Sequence, residues 1–485
     1  MVLGAQSSPL SDMVLRQAEG TPLFDENFVR ATLADVELIG QVPPAISAWV
    51  IDSRRVCPGA AFVALHGAST DGHLFIADAL RAGAHLVLME RSQHERLSAI
   101  EPDLKRGACF VLVPAPSAAL VALAGAWRRK FTIPIVGVTG SIGKTTTKEL
   151  IAAMVAGAGK SCLATAGNYN TALGGAMTLL GLGPSHHCAV VEMGISQPGE
   201  MAQLAELIRP TMGIITQIAH QHLDGFGSLA AIAAQKRQIF NFFGADGIGI
   251  INGDQPLLSR VSYEHPVVRF GCKMTNQVQA RRLSWSDGSL ACNLRVYDEQ
   301  CRLVLSTPHR GFLLNGLAAA AAAHFLGIPT AGIAAGIEAM APVGGRFLPR
   351  ALRGAAGTII DDAYNANPES VREALLAFER LELPGRKIAV IGDMLGLGAS
   401  APFWHRQLGR LFRKAPSVER VILVGEWVRS AEKTMPRWVN CQLVEHWQDA
   451  ETLLENILAH ESPSAILVKA SRDVGLQKLV SRLSA

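Results

Sequence analysis

Short apolar runs alternate with amphipathic stretches along most of the chain, and this alternation predicts successive α/β blocks. The first block has apolar runs at 48–51 and 86–89 around a helix that the pattern predicts near 73–81. It ends at the Pro-Ala-Pro of 114–116, where prolines favour a break in regular structure. We therefore expect a first domain over residues 1–115.

The second and third blocks repeat the pattern typical of mostly parallel sheets covered by helices. Apolar runs of the second block lie at 133–138, 190–193, 213–218 and 247–251. Those of the third block lie at 358–360, 387–392, 421–425 and 465–469. The pair Gly344-Gly345 separates the two blocks. The pattern thus predicts a central domain over 116–344, a Rossmann-like domain over 345–485, and a hinge between them.

Composition agrees with a multidomain globular protein, since 49% of the 485 residues are hydrophobic and 18% are charged. The net charge of +4 and the lack of long basic runs argue against nucleic acid as the main partner. The eight cysteines form no C-x-x-C pair, which is typical of reduced thiols in a cytoplasmic protein. Residues 1–17 lack a basic region followed by an apolar one, so no export signal is expected. The longest alanine-rich stretch, 317–326, is too short and too weakly apolar to span a bilayer, so no membrane-inserted segment is expected either.

A glycine-rich turn at 139–145 joins a predicted strand to a predicted helix. Backbone N–H groups from Gly140 to Gly143 would surround phosphate oxygens, Lys144 would reach the terminal phosphates, and Thr145 would ligate Mg²⁺. The loop is a variant, because a strict phosphate loop would have glycine where Val138 stands. Such a loop alone does not separate a kinase from a GTPase or a ligase.

Two further polar residues follow predicted strands, at the sheet edge where α/β proteins bind ligands. Glu192 ends one apolar run and His222 follows the next, so both are candidate groups for a metal and phosphates. Taken singly, each is also compatible with an ordinary polar residue in water. Their repeated placement after successive strands favours a functional site.

Several motifs resemble those of the Mur ligases over nearly the whole chain. They are IDSRRVCPGAAFVALHG (51–67), TDGH (70–73), TGSIGKTTT (139–147), GNYN (167–170), VEMGISQPGEM (191–201), HLDGFGS (222–228), DDAYNANPES (361–370), VIGDMLGLG (390–398) and VKASRD (468–473). The DDAYNANP run is the most specific, since it is typical of the members that use D-alanyl-D-alanine.

The resemblance implies an ATP-dependent ligase of peptidoglycan precursor synthesis, with ATP and Mg²⁺ bound to the central domain. A UDP-N-acetylmuramoyl-tripeptide would be activated as an acyl phosphate, and D-alanyl-D-alanine would attack it. The enzyme would be a cytoplasmic monomer. Whether the third residue of the acceptor peptide is diaminopimelate or lysine stays open.

The resemblance also implies roles for individual residues. Catalytic groups would be Lys144, Glu192, His222 and Lys236, and metal ligands would be Thr145, Glu192, His222 and a carbamylated Lys236. Nucleotide contacts would be Gly140, Ser141, Gly143, Lys144, Thr145, Thr146, Asn168, Asn315, Arg346 and Asp362. Substrate contacts would be Ser53, Arg54, Asp71, Gly72, His73, Asn365, Asn367, Lys469, Ser471 and Arg472.

Local structure offers a second interpretation for some of these residues. Asp71 and Asn367 are good helix N-caps, the latter with Pro368 in the first helical position. Lys236 lies in an amphipathic stretch, where a lysine is commonly solvated.

The chain also departs from the family's pattern. Members commonly have His-Asn where Gly311-Phe312 stand, and glutamate at the positions of Gly396 and Gln238. Other functions therefore stay open: a sister Mur ligase or folylpolyglutamate synthase with another amine, a GTPase or small-molecule kinase, or a nucleotide-gated binding protein.

Overall fold

The computed structural model describes residues 24–67, 70–340, 343–460 and 464–485. Residues 1–23, which carry the prediction about export, lie outside this range. Three sheets, one for each predicted block, organise the described chain. The predicted domain limits at 115 and 344 fall between sheets, and the limits themselves stay a prediction.

The first sheet has five strands in the order β1-β5-β4-β3-β2, with β1 antiparallel to β5 and the rest parallel. Its strands are β1 Glu37–Ile39, β2 Trp49–Val50, β3 Ala60–Val63, β4 Ala84–Glu90 and β5 Cys109–Val113. Its helices are α1 Glu26–Thr32, α2 Ile76–Arg81 and α3 Pro102–Lys105. The helix predicted near 73–81 begins as a 3₁₀ turn, Gly72–Phe75, which Asp71 caps by accepting from the His73 N–H.

Helix α4, Pro116–Arg128, connects the first sheet to the second and packs on elements of both. The second sheet has nine strands in the order β14-β13-β12-β11-β10-β9-β6-β8-β7. They are β6 Ile135–Thr139, β7 Cys162–Ala164, β8 Cys188–Glu192, β9 Met212–Ile215, β10 Ile248–Asn252, β11 Val267–Gly271, β12 Val278–Ser286, β13 Ser289–Val296 and β14 Glu299–Leu305. Its helices are α5 Lys144–Gly157, α6 Ala172–Leu180, α7 Glu200–Ile208, α8 Leu223–Phe226, α9 Leu229–Arg237, α10 Pro256–Ser259, α11 Arg310–Phe325 and α12 Thr330–Ala339.

The sequence prediction missed the antiparallel part of this sheet. Strands β12, β13 and β14 pair antiparallel, and every second residue of β13 is buried. Such strict alternation is typical of an antiparallel sheet with one solvated face, so the sequence did contain a signal for these strands.

Helix α11 is held in the middle domain by small side chains. Its residues from Ala318 to Ala323 are all alanine and have no exposed surface. Because alanine brings helix and sheet backbones close together, α11 has a fixed position beside α5, α12 and the strands β10 to β13.

The third sheet has six strands in the order β15-β16-β20-β17-β18-β19, antiparallel only between β15 and β16. They are β15 Leu348–Ala351, β16 Gly357–Asp361, β17 Arg386–Gly392, β18 Val418–Val424, β19 Asn440–Val444 and β20 Ser464–Lys469. Its helices are α13 Pro368–Arg380, α14 Ala401–Leu411, α15 Trp447–His460 and α16 Leu476–Leu483. The predicted cap is confirmed, since Asn367 accepts from the Ser370 N–H and α13 begins at Pro368.

All eight cysteines are free thiols, of which Cys109, Cys188 and Cys292 are buried. Within the described ranges, no helix is both long enough and apolar enough to cross a membrane.

Candidate active site

A cleft of about 640 Å³ lies between the second and third sheets, where the carboxyl ends of β6, β8 and β16 meet. It collects many of the residues predicted from the motifs. Those lining it are Ser141, Gly143, Lys144, Thr146, Glu192, His222, Lys236, Asn315, Arg346, Asp362, Asn365, Asn367 and Lys469.

The glycine-rich turn follows β6 and leads directly into α5, as predicted. Gly140 and Gly143 have φ values of +149° and +90°, which L-residues with side chains rarely adopt. A Cβ on Gly143 would overlap Oδ1 of Asn315, so this glycine also brings α11 against the loop. Lys144 donates from Nζ to the Gly140 carbonyl at 3.0 Å. Burial lowers the pKa of Lys144, Glu192 opposes that shift, and Arg346 adds to it.

Glu192 provides a carboxylate oxygen without a partner. Its Oε1 accepts from Asn170 Nδ2 at 2.8 Å, whereas Oε2 is buried and has no hydrogen-bond partner. An unpaired buried carboxylate oxygen is costly, and oxygen atoms are the ligands that Mg²⁺ prefers. The free Oε2 of Glu192 is therefore available to a cation, as the sequence motifs predict.

Lys236 is buried on α9, with 4% of its surface exposed, so the solvated interpretation is wrong. Its ammonium has no hydrogen bond or ion pair among the described residues. Burial first, and the charge of Lys144 second, lower the pKa of Lys236 well below its ordinary value. Burial also lowers the pKa of His222, as do the charges of Lys144 and Lys236. A cleft that crowds cations in this way favours an anionic ligand.

The third domain contacts the phosphate loop through Arg346. Its guanidinium donates to the Thr145 hydroxyl at 2.8 Å and lies 4.3 Å from the centre of the Tyr364 ring. The Tyr364 hydroxyl in turn accepts from Asn168 at 2.9 Å. These contacts join the DDAYNANP segment to the GNYN segment, so two motifs far apart in sequence form one wall of the site.

The loop that carries His222 forms a second contact with the third domain. His222 has a left-handed φ of +54°, and the N–H of Leu223 donates to Gly396 O at 2.7 Å. His220 in the same loop hydrogen-bonds to the Glu369 carboxylate through its ring Nδ1 and its backbone N–H. The loop is therefore fixed by the third domain as well as by its own strand.

Asp362 and Lys469, predicted to contact different ligands, are bonded to each other. Lys469 donates to Asp362 Oδ2 at 2.7 Å and to the Asn365 carbonyl at 3.0 Å. Burial raises the pKa of Asp362, and the Lys469 charge opposes that shift. Both side chains line the cleft as a pair.

Ser471 and Arg472 do not line the cleft. Ser471 accepts from the Leu395 N–H at 2.8 Å and is buried, whereas the Arg472 guanidinium lies 5.9 Å from the centre of the Tyr364 ring. Three further predicted residues do not line the cleft, but each contacts a residue that does: Gly140, Thr145 and Asn168.

The residues predicted in the first domain lie outside this cleft. They are Ser53, Arg54, Asp71, Gly72 and His73. His73 is buried and its Nδ1 lies 2.6 Å from Asp71 Oδ1, while the exposed Arg54 pairs with Asp52. The next residue, Arg55, donates to the Tyr169 hydroxyl at 2.7 Å and thereby contacts the GNYN segment.

Sequence reasoning missed three residues that hold the site together: Asn170, Tyr364 and Lys148. The first two stand inside motifs that were identified, so the signal was present. Lys148 has no exposed surface, and it donates to the carbonyls of Thr165 and Gly167 at 2.6 and 2.9 Å. It therefore positions the segment that carries Asn168 and Asn170.

Replacing Lys148 with methionine is expected to raise KM for ATP at least about tenfold, because the GNYN segment loses two charged hydrogen bonds. The same loss should lower the free energy of unfolding by about 3 kcal/mol. Steady-state kinetics and chemical denaturation would measure both. Lys160→Met is the matched control, since Lys160 donates to the Leu326 carbonyl at 3.1 Å away from the cleft lining. An unchanged KM for Lys148→Met would contradict the positioning role.

A phosphate-binding turn on a parallel sheet, facing cationic residues of a second α/β domain, defines a nucleotide-dependent phosphoryl-transfer enzyme. The sequence matches the Mur ligase family catalytic domain over residues 45–126, the Mur ligase middle domain over 138–323, and the Mur ligase glutamate ligase domain over 345–472. The chain belongs to the Mur ligase family.

Curated relatives and solved structures agree with this assignment. UDP-N-acetylmuramoyl-tripeptide–D-alanyl-D-alanine ligase of Escherichia coli (strain K12) is 32% identical over 90% of this chain and 94% of its own length. The protein of that name from Bacillus subtilis (strain 168) is 31% identical over 94% and 96%. A crystal structure of MurF from Acinetobacter baumannii superimposes with a TM-score of 0.79 at 26% identity, covering 95% of this chain and 98% of that one. MurF ligase from Thermotoga maritima in complex with ADP has a TM-score of 0.73 at 28% identity, covering 90% and 96%. The predicted three-domain α/β fold is thereby confirmed.

Proposed function

We propose that this chain joins D-alanyl-D-alanine to UDP-N-acetylmuramoyl-tripeptide, with ATP as the energy source, in peptidoglycan precursor synthesis. The observation that carries the proposal is the contact of the DDAYNANP segment with the GNYN segment, through Tyr364 and Asn168, beside Arg346, which bridges Tyr364 to Thr145 of the phosphate loop. The names of the relatives support the same two substrates. We assign the reaction to the cytoplasm and to a monomer.

In the proposed reaction, a carboxylate oxygen of the tripeptide attacks the γ-phosphorus of ATP and ADP leaves, giving an acyl phosphate. The amine of D-alanyl-D-alanine then attacks the acyl carbon, loses a proton, and expels inorganic phosphate as the amide forms. Both steps spread negative charge over oxygen atoms, so fixed positive groups accelerate them.

Lys144 and Arg346 are the cationic side chains that we assign to this charge. Both reach the glycine-rich turn, where Lys144 donates to the Gly140 carbonyl and Arg346 to the Thr145 hydroxyl. We assign Mg²⁺ to Thr145, Glu192, His222 and a carbamate on Lys236. When bound, Mg²⁺ would neutralise phosphate charge and help to orient the transferred group.

The proposed amine and acceptor can be tested in one assay. Purified enzyme, ATP and Mg²⁺ are incubated with D-alanyl-D-alanine and either the diaminopimelate-containing or the lysine-containing acceptor, and products are followed by mass spectrometry. We expect a mass gain of one D-alanyl-D-alanine less water, with stoichiometric phosphate release. Amide formation with a single amino acid instead would identify a sister ligase, and nucleotide hydrolysis without any amide product would contradict a ligase.

The third domain is expected to close as a rigid body about Gly344-Gly345. Gly345 has a φ of +72° and donates its N–H to Asp361 Oδ2 at 3.2 Å, so the pivot is tied to the third sheet. Solution scattering should show a smaller radius of gyration after an ATP analogue and the acceptor are added together.

The matched variants for this hinge are Gly345→Ala and Gly354→Ala, since both glycines have a left-handed φ. Each substitution strains the backbone by about 1 kcal/mol or more, and only Gly345→Ala should reduce the compaction. Absence of compaction in the wild-type chain would contradict the hinge.

A further inference from the structure

The positive charge of the chain is concentrated in one part of the third domain. Residues 401–439 contain eight basic and three acidic residues, so their net charge is +5, whereas that of the whole chain is +4. The other residues together therefore carry a net charge of −1, which is +4 less +5. Because a local excess of one sign attracts ligands of the opposite sign, this part of the chain is suited to an anionic partner.

Two neighbouring segments form a single surface there. Helix α14 packs side by side with a 3₁₀ segment, Trp427–Thr434. The approach is close, since a Cβ on Gly409 would overlap both the Ala431 carbonyl oxygen and the Thr434 hydroxyl. Both segments bury apolar side chains in the same core of the third domain. We define the cationic face as the outer side of residues 401–414 and 427–438.

Most cations of the cationic face have no acidic partner. Exposed positions 403, 406, 410 and 413 recur every three or four residues, so they lie on one side of α14 and of the 3₁₀ turn that continues it. Arg429 is paired with Glu445. Six other exposed cations form no ion pair among the residues that the structure describes: Arg406, Arg410, Arg413, Lys414, Lys433 and Arg437. Their charge is therefore free to attract the anionic groups of a partner.

Aromatic side chains are exposed on the same face. Phe403, Trp427 and Trp438 have 48%, 42% and 56% of their surface exposed, whereas the other five tryptophans of the chain are buried or half-buried. None of the three lines the cleft, so nucleotide binding does not account for their exposure. Because an indole combines an apolar ring with a polar N–H, tryptophan is enriched where a membrane meets water.

We propose that the cationic face binds the surface of an anionic phospholipid membrane. The unpaired cations lie near lipid phosphates in this contact, and the exposed aromatic rings lie at the level of the headgroups. A helix surface is convex and suits a flat bilayer, whereas single-stranded nucleic acid binds in grooves. No residue of the cationic face lines the cleft, so the contact is independent of the proposed reaction.

Co-sedimentation of the full chain with lipid vesicles tests this contact. One set of vesicles contains equal parts of phosphatidylglycerol and phosphatidylcholine, and the other contains phosphatidylcholine alone. We expect at least about tenfold stronger binding to the anionic vesicles, and loss of that binding in about 1 M NaCl, where the Debye length is about 3 Å. Anionic vesicles should also shift tryptophan emission to shorter wavelength, and Trp427→Phe/Trp438→Phe should lose most of this shift.

Charge-reversal variants locate the contact on the molecule. Arg410→Glu/Arg413→Glu should weaken binding to the anionic vesicles at least about tenfold, because two cations of the face become anions. Arg260→Glu/Arg302→Glu is the matched control, since it changes the net charge equally at two exposed arginines of the middle domain that have no ion pair among the described residues. The control should bind anionic vesicles nearly as the wild type does. Amide formation without vesicles should be unchanged in both variants.

Several outcomes would overturn the membrane contact. They are equal binding to both kinds of vesicle, absence of binding to either, and an equal loss of binding in the face variant and the control. Lys414→Glu/Lys433→Glu takes one cation from each segment and repeats the test, so unchanged binding by both face variants would also overturn it. Binding of a single-stranded RNA oligonucleotide, without binding to anionic vesicles, would identify nucleic acid as the partner instead.

Discussion

Replacing Lys144 with alanine is expected to reduce amide formation at least about 100-fold, because its ammonium acts on charge that builds up during phosphoryl transfer. The fold should survive. Burial is the largest cause of the lowered pKa of Lys144, so removal of its ammonium relieves a desolvation cost, which offsets the lost attraction to Glu192. Product mass spectrometry and differential scanning calorimetry would measure the two effects.

Two further variants help to interpret the result for Lys144→Ala. Lys144→Arg keeps the charge with a different shape and is expected to recover only a small part of the rate, since the Nζ position is fixed by the Gly140 carbonyl. Lys105→Ala is the control, because Lys105 also donates to a backbone carbonyl, that of Leu97, in the first domain. A Lys144→Ala enzyme that keeps more than a few per cent of the rate with unchanged melting would contradict the assignment of the phosphate loop.

Replacing Lys236 with alanine is expected to nearly eliminate activity, for a reason that follows from its burial. Burial and the charge of Lys144 lower the pKa of Lys236 well below its ordinary value, and this shift favours the unprotonated, nucleophilic amine. Such an amine reacts with carbon dioxide to give a carbamate and a proton, which turns a lysine into a carboxylate ligand. Nearby Gln238, whose Oε1 is buried without a partner, stands where the family commonly has glutamate, so the site has few other anions.

The carbamate has a rescue test and a direct readout. Formate or acetate should partly restore the activity of Lys236→Ala, because a small carboxylate can occupy the space that the substitution opens. Wild-type enzyme in ¹³C-bicarbonate should give a carbamate carbon resonance that Lys236→Ala lacks. Arg237→Ala, on the same helix, is the control, since Arg237 donates to the Leu257 carbonyl. Near wild-type turnover of Lys236→Ala at limiting Mg²⁺ would refute the proposal.

Local sequence determined the parts of the site that could be predicted. The glycine-rich turn, the strand-end Glu192 and the capped start of α13 each depend on a few consecutive residues, and the structure has them as expected. The antiparallel strands β12 to β14 also have a local signal, because buried and partly exposed residues alternate strictly along β13. Prediction from one sequence therefore worked where a single segment fixes both conformation and chemistry.

The remaining site residues depend on contacts between distant segments. Lys148 looks like an ordinary helical lysine until its acceptors in the GNYN segment are known. Tyr364 gains its role from its contacts with Arg346 and Asn168. No periodicity or local motif predicts such contacts between distant segments, because they depend on how the domains and their helices and strands pack.

The alanine-packed half of α11 has a consequence for protein engineering. Because Ala318 to Ala323 have no exposed surface and pack inside the middle domain, larger side chains there would overpack the core and cost about 1–3 kcal/mol each. The first turn, by contrast, borders open cleft at His309 and Phe312. The alanine-rich half of the helix therefore tolerates few substitutions, whereas its first turn tolerates more. A designer who wished to change the shape of this end of the cleft could vary positions 309 to 312 while the rest of the helix stays in place.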